Sequence, residues 1–199
     1  MYKRQALDPA ATGVMILCLG RTTRLVEYMV PVSKSYEGEI VLGITTDTDD
    51  SEGEPIEKGC VPGLDVDLNL DVIASKFSGF IQQVPPAYSA IKVSGKRAYS
   101  VARSGGKPEL FPRQVYIENL TLARTAFDRL AIKVTCGSGT YIRSIARDIG
   151  RMLTTGGHLR SLKRVKNGRF TLGDAHTVSE IEEFIKLDQL NQILLILFE

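Results

Sequence analysis

The apolar positions of three stretches of the chain predict β-strands. In residues 130–136 every second side chain is apolar, from Leu130 to Cys136, which is the period of a strand with one buried face. Residues 114–122 and 36–46 are rich in the β-branched and aromatic side chains that favour strands. We therefore predict a strand over each of these ranges.

Two stretches place their apolar residues at helical spacing. The first covers residues 69–84 and ends at Pro85-Pro86, because the residue before a proline disfavours the helical conformation. The second helix follows the turn Gly137-Ser138-Gly139. Its apolar stripe consists of Ile142, Ile145, Ile149, Met152 and Leu153.

Shorter helices are predicted elsewhere, over residues 21–30 and 98–103. Near the end of the chain two capping boxes overlap, one pairing Thr177 with Glu180 and the other pairing Ser179 with Glu182. Such boxes are typical of a helix N-terminus, so we predict a last helix that runs into the apolar tail, residues 190–198.

The order of these elements favours an α+β fold. Strands are interrupted by helices without regular βαβ alternation, which indicates a mixed, mainly antiparallel sheet flanked by helices. The length of 199 residues suits one domain or one domain with a small appendage, and 43% hydrophobic residues suffice for a core.

Charge is segregated along the chain although the net charge is only +2. Residues 143–169 contain eight basic residues and one acid, and residues 92–113 contain six basic residues and one acid. Residues 47–57 contain six acids and no base. Such segregation could create a basic face for a phosphate backbone, but it is equally compatible with ordinary solvated surface.

Several kinds of site are not indicated by the sequence. The three cysteines are far apart and the two histidines are too few for a cluster, so neither a disulfide framework nor a metal site is expected. Neither a G-x-G-x-x-G fingerprint nor a P-loop is present, so no nucleotide cofactor is expected. Catalysis would have to rely on carboxylate, tyrosine and arginine side chains.

The acidic loop at residues 47–53 does not match a calcium loop. Counted from Asp47, the sixth position is Glu52 rather than glycine, and the twelfth is Lys58 rather than glutamate. We therefore predict a solvated turn. The longest apolar run, residues 193–198, is too short for a membrane span, and no signal peptide is recognised, so no membrane association is expected.

Three segments contain candidate chemistry. Asp8 lies between proline and glycine in a tight loop, and Tyr36 lies at a strand start. Taken singly, a structural turn and a half-buried sheet tyrosine are the simpler interpretations of these two residues. The third segment places Tyr141 and Arg143 in the first turn of a helix. An arginine is unfavourable there because of the helix dipole, which indicates a partner anion.

Five segments together resemble the TruB family of pseudouridine synthases, in the family's order and over about residues 6–170. They are Leu-Asp-Pro-Ala-Ala-Thr-Gly at residues 7–13, Lys-Ser-Tyr at 34–36 with Leu-Gly at 42–43 and Thr-Asp-Thr-Asp at 46–49, Pro-Pro-Ala-Tyr-Ser-Ala-Ile-Lys at 85–92, Gly-Thr-Tyr-Ile-Arg at 139–143, and Gly-His-Leu-Arg-Ser-Leu-Lys-Arg at 157–164.

The resemblance implies a pseudouridine synthase fold and an activity. Members isomerise a uridine in the T arm of transfer RNA (uridine 55) to pseudouridine, without metal or cofactor, after the base is turned out of its stack. A cytoplasmic, monomeric enzyme with the tRNA T-arm stem-loop as partner is expected.

The resemblance also implies roles for individual residues. Asp8 would be the essential catalytic group, acting either as nucleophile on the ribose C1′ or in proton abstraction, and Arg143 would pair with it. Tyr36 would stack on the base, and Tyr141 would line the pocket and accept the C5 proton. Leu162 would form a pocket wall. Three basic residues, Arg160, Lys163 and Arg164, would hold phosphates.

The chain departs from the family at both ends. Members have a further N-terminal stretch with a first strand, and commonly a C-terminal PUA-type module. We therefore expect a catalytic domain over residues 1–175 that lacks its N-terminal part, an exposed sheet edge, and a helical tail over residues 176–199.

Two other functions are compatible with the sequence. The first is a non-catalytic protein of the same fold that binds or folds tRNA. The second is a glycosidase using Asp8, which would need a second carboxylate facing it across the bond. Among pseudouridine synthases, a guide-RNA-dependent modifier of ribosomal RNA is also conceivable, but such enzymes usually depend on partner proteins and resemble this sequence less.

Overall fold

A twisted sheet and the helices on one of its faces form the framework of the computed structural model, which describes residues 7–29, 32–189 and 193. The strands are β1 (Ala11–Gly13), β2 (Lys34–Leu42), β3 (Ile44–Thr46), β4 (Pro55–Lys58), β5 (Gly79–Gln83), β6 (Lys92–Val93), β7 (Lys96–Arg97), β8 (Arg113–Ala126), β9 (Arg129–Cys136), β10 (Gly157–Asn167) and β11 (Phe170–Thr171). The α-helices are α1 (Val26–Met29), α2 (Leu70–Lys76), α3 (Ala98–Arg103), α4 (Ile142–Met152) and α5 (Val178–Lys186). Two 3₁₀ helices cover Gly20–Leu25 and Leu172–Asp174.

Within the described residues the main sheet has seven strands, in the order β1-β10-β2-β9-β8-β5, with β11 paired to β10. All neighbours are antiparallel except β1, which runs parallel to β10. The hairpins β3–β4 and β6–β7 lie outside this sheet. The α+β architecture with a mainly antiparallel sheet is confirmed.

The core lies between the sheet and the two helices α2 and α4. Alternate side chains of β2, β8 and β9 point to this face, as the period of two requires. Together with the apolar stripe of α4 they form one buried cluster. Its strand and α4 members include Ile40, Leu42, Ile117, Leu130, Ile132, Val134, Ile142, Ile145 and Ile149.

Helix α4 approaches β10 very closely at Gly150. A Cβ atom at this position would lie 2.4 Å from the backbone carbon of Gly156 and 2.4 Å from the nitrogen of Gly157. Only glycine allows this contact, which sets the height of α4 above the sheet.

Most of the predicted elements are present. Strands β8 and β9 cover the predicted ranges and extend beyond them, and helices α3 and α4 lie where they were predicted. The strand predicted over residues 36–46 is divided at Gly43 into β2 and β3. Residues 21–29 form a 3₁₀ turn followed by α1, and residue 30 lies outside the described part.

The helix predicted over residues 69–84 is wrong in its second half. Helix α2 ends at Lys76, and residues 79–83 form strand β5, which pairs with β8. Apolar residues at 77, 80 and 81 fit either period over so short a range. The segment forms a strand because pairing with β8 satisfies its backbone N–H and C=O groups.

The expectation of an exposed sheet edge named no strand. On the side of β10 away from β2, other segments of the chain bond to much of the strand. Residues Asp49 and Ser51 bond to the backbone of Leu159, β1 pairs with residues 162–164, and β11 pairs with residues 166–167. The pairing of β1 with β10 brings the loop that contains Asp8 next to β10.

The last described helix, α5, begins at Val178 with Thr177 as its N-cap. The side chain of Thr177 accepts a hydrogen bond from the amide of Glu180, so the first of the two overlapping capping boxes is the one used. The prediction that this helix runs into residues 190–198 is wrong, because α5 ends at Lys186 with Leu187 as its C-cap; most of residues 190–198 lie outside the described residues. The division of the chain at residue 175 stays a prediction. No helix in the described ranges is long and apolar enough to span a bilayer.

Substitution of Gly150 by alanine tests the contact between α4 and β10. We expect Gly150→Ala to destabilise the fold by about 2 kcal/mol through overpacking, although alanine is the better helix former. Urea unfolding followed by circular dichroism measures the effect. Gly173→Ala is the matched control, because its Cβ would meet nothing closer than 3.6 Å. Equal stability of the two variants would contradict the close approach.

Candidate active site

The centre of the candidate site is an ion pair between Asp8 and Arg143. Two nitrogens of the guanidinium, Nε and Nη2, donate to the two carboxylate oxygens of Asp8 at 2.9 and 3.1 Å. The Arg143 side chain is 7% exposed, whereas that of Asp8 is 39% exposed. The pair expected from the sequence is therefore present, and its carboxylate partly faces solvent.

A tight loop holds Asp8 in place. The Asp8 carbonyl accepts a hydrogen bond from the amide of Ala11 at 2.8 Å, and the chain then enters β1 beside β10. Gly13 has a φ of +105°, and a Cβ there would lie 2.2 Å from the carbonyl oxygen of Arg164. Glycine is required at this point because β1 could not otherwise approach β10.

Arg143 uses the rest of its guanidinium to join two further loops. Its Nη1 donates to the carbonyl of Thr48 at 3.0 Å and lies 3.3 Å from Oδ2 of Asp50. Its Nη2 donates to the carbonyl of Tyr88 at 3.2 Å. Two carboxylates thus balance a cation that the helix dipole at the start of α4 would otherwise disfavour.

The solvated turn predicted for residues 47–53 is wrong for Asp49 and Asp50, which are both buried. The carboxylate of Asp50 accepts hydrogen bonds from the Thr48 hydroxyl at 2.5 Å and from the amide of Glu52 at 3.0 Å, in addition to its pairing with Arg143. Burial is possible because arginines from α4 neutralise these charges, a contact that no local pattern indicates.

Asp49 pairs with the second arginine of α4, Arg147, at 2.8 Å. Burial raises the pKa of the Asp49 carboxyl, although the charge of Arg147 and its hydrogen bond act in the opposite direction. Arg147 also donates to the carbonyl of Val84 at 2.9 Å. The pair therefore fastens the acidic loop and the segment after β5 to the same helix.

The proline-containing segment after β5 lies along the first turns of α4. The Val84 carbonyl also accepts from the hydroxyl of Ser144 at 2.9 Å, and the hydroxyl of Tyr88 donates to Asp47 at 3.0 Å. The segment thus connects α4 with the acidic loop.

A small cleft opens beside the ion pair. Asp8, Asp50, Arg143 and the β10 residues 159–162 contribute to its lining. Arg160 lies at a bulge of β10 and donates to Glu39 at 2.7 Å, and Leu162 forms part of the cleft wall. Neither Tyr36 nor Tyr141 is among the residues that line it.

The basic residues of β10 divide between the two faces of the strand. Lys163 is exposed. Arg164 is 3% exposed and donates to the carbonyl of Val14 at 2.7 Å. This burial shows that the expectation of phosphate binding by Arg164 is wrong. The two-residue period of β10 turns the Arg164 side chain inward, away from an RNA backbone.

Tyr36 lies opposite Arg164 in the β2–β10 ladder and contacts the edge of the core. Burial raises the pKa of the Tyr36 phenol, and the charge of Asp8 contributes in the same direction, whereas Arg164 lowers it.

Tyr141 is the N-cap residue of α4. The guanidinium carbon of Arg113 lies 5.0 Å from the centre of its ring, and Gln83 hydrogen-bonds to its backbone. Of the residues around Arg143, sequence reasoning missed Asp50 and the carbonyls of Thr48 and Tyr88. Their only sequence signal was that they lie in or next to the segments that resemble the family.

Removing the cation from the Asp49–Arg147 pair should destabilise the fold. We expect Arg147→Met to cost about 3 kcal/mol at pH 8, because a buried carboxylate loses its partner. Burial raises the pKa of Asp49 in the folded state, so the folded variant binds this proton more strongly than the unfolded chain. The loss should therefore be smaller at pH 5 than at pH 8.

Urea unfolding at both pH values measures these differences. The matched control is Arg151→Met, because the Arg151 side chain is 69% exposed and lies 3.7 Å from Asp148. An exposed pair of this kind contributes less than about 1 kcal/mol. A loss for Arg147→Met that is no larger than that of the control would contradict the importance of the buried pair.

Comparison with known proteins identifies relatives over nearly the whole chain. Residues 4–142 match the family model described as TruB family pseudouridylate synthase (N terminal domain). Residues 143–195 match the model described as tRNA pseudouridylate synthase B C-terminal domain.

Curated relatives include the tRNA pseudouridine synthase B of Francisella tularensis subsp. holarctica, 43% identical over 178 residues, which cover 89% of this chain and 59% of the relative. That of Ruegeria sp. is 41% identical over 189 residues, covering 94% of this chain and 62% of the relative. The chain therefore spans about three fifths of the length of these relatives.

Solved structures with a similar fold include a Cbf5-Nop10-Gar1 complex, with a TM-score of 0.66 and 25% identity over 94% of this chain and 47% of that one. An H/ACA RNP bound to a substrate RNA containing 2′-deoxyuridine gives a TM-score of 0.63 at 20% identity, over 94% of this chain and 46% of that one. With the pseudouridine synthase fold and the matched family models, the chain belongs to the TruB family of pseudouridylate synthases.

Proposed function

We propose that this chain is the catalytic part of a tRNA pseudouridine synthase, with Asp8 as its essential group. The observation that supports this most directly is the two-point ion pair with Arg143, which aims a partly exposed carboxylate into the cleft beside β10. The relatives named tRNA pseudouridine synthase B are the second support.

The proposed reaction breaks the bond between N1 of uracil and C1′ of the ribose. The base turns within the site, its C5 bonds to C1′, the C5 proton leaves, and N1 gains a proton, so the reaction needs no oxidant or reductant. Asp8 acts at the sugar, either as nucleophile on C1′ or by proton abstraction. Arg143 orients the carboxylate and balances its charge.

The proposed substrate is the uridine of the T arm, turned out of its stack into the cleft. Extrusion costs roughly a few kcal/mol, and stacking on an aromatic ring returns about 1–3 kcal/mol. From the resemblance to the family we assign this stacking to Tyr36, which lies on β2 outside the present lining of the cleft, and the opposite wall to Leu162. Tyr141, which precedes Arg143 by two residues, is the proposed acceptor of the C5 proton.

Phosphate contacts are assigned to the exposed basic residues of β10. Arg160 at the bulge and Lys163 on the outer face can reach an RNA backbone, where they would position the substrate without reading its sequence. Arg164 instead contributes inside the protein, where it contacts the Val14 carbonyl and the Tyr36 phenol.

A glycosidase is not favoured by the arrangement of carboxylates. Asp50 is the second acid of the cleft, but both of its oxygens are occupied, one by Thr48 and Glu52 and the other by Arg143. Asp50 is therefore paired with the guanidinium of Arg143. Acid–base hydrolysis would instead require a carboxyl group that faces Asp8 across the glycosidic bond.

We place the activity in the cytoplasm, with the protein acting as a monomer on tRNA. Within the described residues Cys60 and Cys136 are thiols outside any disulfide, as a reducing compartment would maintain them. Burial raises the pKa of Cys136 to about 11, so this thiol stays protonated and packs as an apolar group.

Replacing Asp8 with asparagine tests the proposed chemistry. The substrate is a T-arm stem-loop RNA whose target uridine has tritium at C5, so that isomerisation releases the label to water. We expect Asp8→Asn to reduce the release rate at least about a thousandfold, as loss of an essential catalytic group does. RNA affinity, measured by filter binding, should change only a few-fold.

Asp65→Asn is the matched control, because Asp65 is an exposed carboxylate outside the cleft. It should release tritium at the wild-type rate. Release by Asp8→Asn at that rate would exclude Asp8 as the catalytic group. Binding by the wild-type chain without any release would instead favour a non-catalytic tRNA-binding protein.

A further inference from the structure

The side chain of Gln83 forms a two-point clamp on the backbone of Tyr141. Its Oε1 accepts a hydrogen bond from the Tyr141 amide at 2.9 Å, and its Nε2 donates to the Tyr141 carbonyl at 3.1 Å. Gln83 is the last residue of β5 and is 1% exposed. The amide group thus pairs with residue 141 as a neighbouring strand would.

The clamp acts at the residue that begins α4. Tyr141 is the N-cap residue of α4, and its side chain makes no capping hydrogen bond to the helix. The backbone of residue 141 is therefore held from β5 through Gln83 and also by its own helix, because its carbonyl accepts a hydrogen bond from the Ile145 amide at 3.2 Å. Since α4 is rigid, fixing Tyr141 also fixes Arg143, which follows two residues later.

A second residue holds the ring of the same tyrosine. Arg113 is the cross-strand partner of Gln83 in the β5–β8 ladder. Its guanidinium lies over the Tyr141 ring at 5.0 Å and donates to the carbonyl of Gly139. Two adjacent strands thus fix the backbone and the ring of Tyr141 together.

We propose that Gln83 is a positioning residue for the active site, which with Arg113 sets the place of Tyr141 and, through α4, the aim of Arg143 at Asp8. This inference rests on the proposed function, because its effect on rate requires that function. A buried amide is expensive unless it is hydrogen-bonded, and here both side-chain hydrogen bonds of Gln83 go to one residue beside the site.

Two variants of Gln83 and one control test the clamp. Gln83→Met keeps the length of the side chain and loses both hydrogen bonds. Gln83→Glu keeps the acceptor for the Tyr141 amide and loses the donor. Gln82→Met makes the same chemical change at the neighbouring exposed glutamine of β5 and should behave as wild type.

Three measurements are made on the full chain. The first is the single-turnover rate of tritium release from saturating T-arm stem-loop RNA, and the second is RNA affinity by filter binding. The third is hydrogen exchange of the Tyr141 amide by mass spectrometry, which does not depend on activity.

We expect Gln83→Met to lower the single-turnover rate about ten- to a hundredfold, the usual consequence of a misplacement near 1 Å. Gln83→Glu should fall between this variant and wild type. RNA affinity should change less than about threefold in both, because the phosphate contacts lie on β10. The Tyr141 amide should exchange faster in Gln83→Met and remain protected in Gln82→Met.

A purely structural glutamine would give a different result. Both variants would then lose stability while the folded fraction turned over at the wild-type rate, and that outcome would overturn the proposal. Should Gln83→Met fail to fold, Gln83→Glu decides, and a wild-type rate in that variant also overturns it. If the wild-type chain released no tritium, the proposed function would be wrong. Exchange of the Tyr141 amide would then be the remaining test of the clamp.

Discussion

The site depends on one constraint, a guanidinium buried at the positive end of a helix. Arg143 is almost inaccessible to water, and the dipole of α4 adds to its unfavourable self-energy. Its charge must therefore be balanced by anions within hydrogen-bonding distance. Asp8 and Asp50 supply them, and the carbonyls of Thr48 and Tyr88 complete the shell. Three separate loops converge on Arg143 because they supply the carboxylates and carbonyls that its buried charge requires.

The next turn of α4 repeats the arrangement. Arg147 lies four residues after Arg143, on the same side of the helix, and pairs with Asp49, the neighbour of Asp50. Two successive aspartates thus meet two arginines one turn apart, which fixes the acidic loop in register with the helix. Asp8 differs from these carboxylates because it alone is substantially exposed. The buried carboxylates of Asp49 and Asp50 stabilise the structure, and the exposed carboxylate oxygens of Asp8 remain available to a substrate.

The sheet determines which basic side chains can meet an RNA. Along β10 the period of two sends Leu162 and Arg164 inward, and the bulge at Arg160 changes that residue's direction toward the cleft. One strand therefore provides a cleft wall, an internal support for Tyr36 and an outward-facing cation, to which we assign a phosphate contact. Counting basic residues along the sequence cannot separate these roles, because the count is the same whether an arginine side chain points inward or outward.

The amino-acid sequence was enough to predict the fold class, the strands β8 and β9, and the helix α4, because local periodicity specifies such elements. An arginine at a helix start indicates an anion, and the resemblance to the TruB family implied that this anion is Asp8. Tertiary contacts were needed to establish that residues 79–83 form a strand, that Asp49 and Asp50 are buried, and that Arg164 points inward. Each of these depends on a partner far away in sequence: β8 for β5, the arginines of α4 for the acidic loop, and β1 and β2 for β10. Burial of a charge or a backbone group is settled by its distant partner, and a local pattern contains no information about that partner.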